Sequence, residues 1–263
     1  MAIENKAVTT YSAYLALDEL LSVQRPISEQ HDEMLFIVVH QAHELWFKQL
    51  LHEFVELQRG LEDGDTASAL HTLNRSLTIL RLVVSQIGVI ETLTPDQFLG
   101  FRAGLGGSGF QSAQFREIEV VLGRRDPRIL RRYPEGSSER ERLERAMHRP
   151  CVFDSFLRYL AVHGHPVPPE MLRRDTSLPL EPSAGVRRVL AQAYRDGGLA
   201  VQLCERLLEL DQVVQEWRYR HVRMVERVIG DKSGTGGSSG ASYLRTTLFQ
   251  PMFADLWAVR NEL

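Results

Sequence analysis

Residues 34–48 read MLFIVVHQAHELWFK, the centre of a stretch from Glu29 to Leu61 that contains no proline and a single glycine, Gly60. Phe36, His40, His43 and Phe47 recur at intervals of three and four, so they share one face of a helix. At about 1.5 Å per residue such a helix is about 50 Å long. Leu199–Ile229 repeats the pattern: neither glycine nor proline interrupts it, and Trp217, His221, Val225 and Val228 form one stripe. Each apolar face therefore carries a histidine, and a buried imidazole needs a partner. A histidine of this kind taken alone reads as a core residue bonded to a nearby carbonyl. Two of them on two long helices also suit a cofactor held between distant parts of one chain.

The flanking sequence supplies more helices. Tyr11–Gln24 has apolar positions at Tyr14, Leu17 and Leu21, a short amphipathic helix broken by Pro26, and Ser28 is the expected N-cap of the helix that follows. The Asp63-Gly64-Asp65 turn leads into a helix from Thr66 to Ile90. Thr94-Pro95-Asp96-Gln97 combines an N-cap threonine, proline at the first position and glutamine placed to close a capping box. Further helices are expected over 111–122, 138–148, 152–162 and 186–195, separated by the glycine-rich segment 104–109 and the Pro166, Pro168, Pro169 loop. The run Arg124–Arg132, RRDPRILRR, reads as a solvated connection between helices. Strand signals are nearly absent. The expected fold is all-α, a helical bundle with two or more long antiparallel helices, in a single domain over residues 1–263.

Composition bounds the function. With 43% hydrophobic and 25% charged residues the chain has ordinary soluble composition, and its net charge of −3 gives no general attraction to nucleic acid. The start MAIENKAVTTYSAYL has no hydrophobic h-region, and no uncharged apolar run approaches membrane-spanning length, so a cytoplasmic location is expected. Cys151 and Cys204 form neither a CxxC motif nor a disulfide framework and are expected to be small buried residues.

Several chemistries fail on spacing. A carboxylate-bridged di-iron site needs Glu-x-x-His pairs, and no glutamate of the long helices has histidine three residues later. HExxH is absent, because His52-Glu53 is followed by Phe54, Val55 and Glu56. Haem demands less: one neutral imidazole, an apolar slot and polar control on the other side. With no CxxCH motif, any haem would be noncovalent. Gly234–Gly240, GTGGSSG, lacks the phosphate-loop pattern; it reads either as a flexible surface loop or as a segment whose amides and Thr235 hydroxyl close over a small polar ligand. Arg102, beside Phe101, reads either as a surface cation over a ring or as an inward clamp for a carboxylate.

Five blocks carry a resemblance: YxxYLxLDxLL from Tyr11, HDEMLFIVxHQxxELWFK from His31, LTPxxFxxFR from Leu93, SGFQSxQFR from Ser108 and GTGGSSGxxYL from Gly234. From Tyr11 to about Arg260 the chain resembles tryptophan 2,3-dioxygenases. The resemblance implies an all-helical homotetramer with noncovalent haem b in a pocket of the bundle, His221 as axial iron ligand and His40 beside the indole nitrogen of the substrate. It implies that Arg102 holds the amino-acid carboxylate, that Thr235 contacts the carboxylate and ammonium, and that Phe36, Phe98 and Leu105 wall the indole, with Ser108 and Gly109 also at the substrate. Tyr11 and Tyr14, within an N-terminal segment of residues 1–25, would enter a neighbouring subunit's pocket.

The implied reaction takes L-tryptophan or a close analogue and O2, and inserts both oxygen atoms across the indole C2–C3 bond to give N-formylkynurenine. The alternative is a haem monooxygenase giving an oxindole or hydroxylated tryptophan derivative in a biosynthetic pathway. No nucleic-acid or membrane partner is expected. The chain departs from the family pattern at three places: the loop after Arg102 is one residue shorter, Ala254 replaces a common proline, and His43 replaces a tyrosine or small residue.

Overall fold

Helices carry the chain throughout the computed structural model, which describes residues 10–105, 112–230 and 241–263, and no strand occurs among them. In order these are α1 (Tyr11–Tyr14), α2 (Leu17–Leu20), α3 (His31–Glu62), α4 (Thr66–Ile90), α5 (Pro95–Arg102), α6 (Ala113–Val121) and α7 (Ser138–Met147). They continue with α8 (Val152–Val162), α9 (Pro169–Leu172), α10 (Ala184–Asp196), α11 (Leu199–Ile229), α12 (Ala241–Arg245) and α13 (Ala254–Ala258).

The scaffold of the site is α3, α4 and α11. The short turn at residues 63–65 reverses the chain, so α3 and α4 are antiparallel, and Gly60 lets them meet closely: a Cβ there would lie 3.3 Å from the Ala69 amide nitrogen. Asp65 caps α4 by accepting from Ser68 N at 3.0 Å. Ion pairs from Arg81 to Glu209 and from Arg220 to Glu91 show α4 and α11 running the same way. α11 is therefore antiparallel to α3, and the two meet where the Phe47 and Trp217 rings touch. Leu50, Phe54 and Leu57 of α3, Leu73 and Val83 of α4, Phe153 and Phe156 of α8 and Leu203 and Leu207 of α11 lie in one core at 0% exposure. Deletion of a side chain from such a core costs about 2–5 kcal/mol.

Asp211 of α11, also fully buried, fastens the C-terminal segment. Its carboxylate accepts from Met252 N (2.8 Å), Phe253 N (3.1 Å) and Trp257 Nε1 (2.9 Å). The α4 helix has the length and hydropathy to cross a membrane, but half of its apolar window is buried within the protein, which makes it a core helix. Cys151 and Cys204 are free and buried, and burial raises their thiols to about 11 and about 12.

Three expectations are corrected. Residues 11–24 form two single-turn helices instead of one, because Ala16 adopts a left-handed φ of 48° between them. Ser28 does not cap α3. Glu33 reaches back from the first turn instead and accepts from Ile27 N (2.8 Å), Ser28 N (2.9 Å) and Ser28 Oγ (2.5 Å), while Gln30 takes the N-cap position without a side-chain bond. The arginine run is not a simple solvated connection: Arg125 is buried and donates to Ala146 O (2.8 Å) and Arg149 O (2.5 Å), two carbonyls near the end of α7.

Candidate active site

Antiparallel α3 and α11 bring His40 and His221 to one cavity of about 200 Å³. Val39, Phe47, Ile87, Ile90 and Met224 give it apolar walls, and His43 supplies a third imidazole. The helical spacing read from the sequence thus faces inward on both elements.

Hydrogen bonding fixes the protons of α3. His40 Nδ1 lies 2.7 Å from Phe36 O, and a carbonyl only accepts, so Nδ1 carries the hydrogen. Burial lowers the His40 pKa, and the neighbouring His43 lowers it further, against the opposing pull of the Phe36 carbonyl and Glu44. A neutral ring protonated at Nδ1 leaves Nε2 as an acceptor. His43 repeats the arrangement, with Nδ1 donating to Val39 O at 2.8 Å.

Desolvation acts more strongly on His221, bringing its pKa down to about 3, with His40, Arg116 and His43 adding positive potential. It is a neutral imidazole at physiological pH. The Trp217 ring lies 4.7 Å from that of His221 and 4.1 Å from Phe115, and its indole Nε1 is buried without an acceptor among the described residues.

An aromatic cluster adjoins the cavity beside His40. The Phe36 ring centroid is 4.1 Å from His40, 5.6 Å from Phe98 and 5.4 Å from Phe101. Phe98 and Phe101 meet edge to face at 87° on α5. That helix is set by the foreseen capping box, with Gln97 N donating to Thr94 Oγ1 (3.4 Å) and Thr94 N to Gln97 Oε1 (2.8 Å).

His40, His221, Phe36 and Phe98 are therefore brought together. Arg102 ends α5 half-buried, and Leu105 follows it, also half-buried; neither lines the cavity among the described residues. Tyr11 and Tyr14 are 76% and 79% exposed and do not line it within this chain. Ser108, Gly109 and Thr235 lie outside the described residues. Sequence reading did not assign Phe101 or Phe115 to the aromatic surroundings, although both stand inside the quoted blocks and Phe101 adjoins Arg102.

Behind His221, Glu119 of α6 gathers three arginines: Arg116 at 2.5 Å, Arg218 at 2.6 Å and Arg124 at 3.2 Å. Burial alone would raise this carboxyl; the three positive charges outweigh it and bring the pKa down to about 2. Periodicity gave no sign of this cluster, which joins residues 116–124 to the distant Arg218 of α11.

The fold and the cavity define a class: a helical protein that offers neutral imidazoles from two antiparallel helices to one largely apolar cavity. The model of the tryptophan 2,3-dioxygenase family matches residues 2–160 and 185–263. Tryptophan 2,3-dioxygenase of Anaeromyxobacter sp. (strain K) is 58% identical over 267 residues, covering 98% of both chains. That of Herpetosiphon aurantiacus is 51% identical, covering 97% of this chain and 98% of its own. The Bacillus cereus (strain ATCC 10987 / NRS 248) enzyme is 41% identical, covering 97% and 92%. The chain belongs to the tryptophan 2,3-dioxygenase family.

Proposed function

We propose that this protein is a haem-dependent dioxygenase that opens the indole ring of L-tryptophan, inserting both atoms of O2 across C2–C3 to give N-formylkynurenine. The observation that carries the reading is the meeting of His40 and His221, from two antiparallel helices, in one apolar cavity. The relatives named above bear the dioxygenase name, which favours two-atom insertion over the one-atom alternative.

The donor set suits noncovalent haem b. A ferrous or ferric iron takes a neutral imidazole, and desolvation keeps His221 neutral down to about pH 3. The buried Trp217 Nε1 beside it, without an acceptor among the described residues, is a donor suited to a polar edge of a bound group. His221 would hold the iron, and the haem, when bound, would supply the oxygen chemistry. His40 Nε2, an acceptor, would receive the indole N–H and orient the ring. Because His40 is held neutral by its surroundings, its role is positioning, since the indole nitrogen is a very weak acid.

Phe36, Phe98 and Leu105 would wall the indole, and apolar walls keep water from the reacting carbons. Arg102 would clamp the carboxylate with its planar fork, and Thr235 would contact carboxylate and ammonium, with Ser108 and Gly109 at the same ligand. Tyr11 and Tyr14 would complete the pocket of a neighbouring protomer in a homotetramer; their high exposure in the single chain supports that role. A single domain over residues 1–263 and a cytoplasmic location complete the proposal. The common core joining α3, α4, α8 and α11 supports the first, and the free buried cysteines support the second.

Titration of the purified protein with haem tests the reading. One haem per chain should bind with an imidazole-ligated spectrum, and L-tryptophan should then be consumed with O2. His221→Ala should lose that ligation while keeping its helical circular dichroism. An unchanged haem spectrum in the variant would remove His221 from the site.

A further inference from the structure

We propose that a second cavity, lined by the arginines of residues 116–132 and by α12, binds a compact multivalent oxyanion of the phosphate class. The cavity is about 430 Å³, within the size range of small-molecule sites. Arg116, Arg124, Arg128 and Arg132 line it, against two carboxylates, Glu119 and Asp126.

Its charge is graded from base to rim. Arg116 and Glu119 form the base, 5% and 2% exposed and 2.5 Å apart. Glu119 is already shared with Arg124 and with Arg218 behind it, so one negative charge faces three positive ones. At the rim Asp126 is taken up by Arg128, through bonds of 2.9 Å and 3.1 Å. Arg132 has no carboxylate partner and no hydrogen-bond acceptor among the described residues; its guanidinium lies over the Tyr243 ring at 4.4 Å. The walls thus carry more guanidinium donors than acceptors, and more positive charge than negative.

The base sets Arg116, Arg124 and Arg218 against one carboxylate, and positive charge held away from water is costly unless an anion offsets it. A monocarboxylate would neutralise one charge. A phosphate carries close to two near neutral pH and presents three acceptor oxygens, which matches the arginine fork. The same chemistry is offered by inorganic pyrophosphate and by the phosphates of a nucleotide.

Calorimetric titration of the haem-loaded protein with inorganic pyrophosphate, and separately with ADP, tests the proposal. Saturable binding of one pyrophosphate per chain is expected, weakening as salt rises. Arg132→Ala and Arg128→Ala alter exposed rim residues and should each weaken it about tenfold, equivalent to loss of one charged contact. ADP binding tighter than pyrophosphate would support the site with a nucleotide as source, and equal or weaker ADP binding would support it with the inorganic anion. Absence of saturable pyrophosphate binding at millimolar concentration would overturn the proposal. So would wild-type affinity in both variants.

Discussion

His40 shows how much one hydrogen bond decides. The i−4 carbonyl of Phe36 fixes the hydrogen on Nδ1, desolvation keeps the ring neutral, and what remains is an acceptor suited to an indole N–H. Glu119 shows the opposite case, a buried group kept charged by its neighbours. Its folded pKa of about 2 lies below the ordinary value of 4.5, so the stability it contributes is complete above about pH 4.5 and is lost as pH falls toward 2. Denaturant unfolding of the wild type should therefore show a component on the order of 3 kcal/mol lost across that window. Glu119→Gln should be less stable at pH 7 and should lack that component; an unaltered pH profile in the variant would contradict the assignment.

At the scale of the element, α11 does two jobs. Its stripe of Trp217 and His221 serves the cavity, and Asp211, ten residues before His221, holds the C-terminal segment by three donors. Asp211→Ala would leave two backbone amides and an indole N–H without their acceptor, and should cost about 3 kcal/mol in chemical denaturation. A loss below about 0.5 kcal/mol would show that the segment docks without it. The long elements were legible in the sequence because their signals are local: apolar periodicity set α11 at Leu199–Ile229, and a proline with a capping box set the start of α5. The histidine faces followed from the same periodicity. What escaped was nonlocal. Glu33 displaced Ser28 as the cap by reaching back to it, and the arginine run was folded inward by the carbonyls of Ala146 and Arg149 and the carboxylate of Glu119, partners that no spacing rule connects to it.

For the whole molecule, the N-terminal segment carries the largest unburied apolar load. Tyr11, Tyr14, Leu21 and Ile27 are 76%, 79%, 72% and 61% exposed, and neither α1 nor α2 has a buried residue. Exposed apolar surface of this kind marks an interaction site. Deletion through Tyr14 should shift the species seen by size-exclusion chromatography with light scattering from the proposed tetramer toward smaller forms, and should depress tryptophan turnover with it. A truncated monomer of full activity would show that each pocket is complete within one chain.

The dioxygenase reading assigns two-atom oxygenation of tryptophan to the cavity between α3 and α11. Its most direct test is mass spectrometry of the product formed by the reduced, haem-loaded protein from L-tryptophan under isotopically labelled dioxygen. A ring-opened product containing two labelled oxygen atoms is expected. A product with an intact indole-derived ring and a single labelled atom would contradict it.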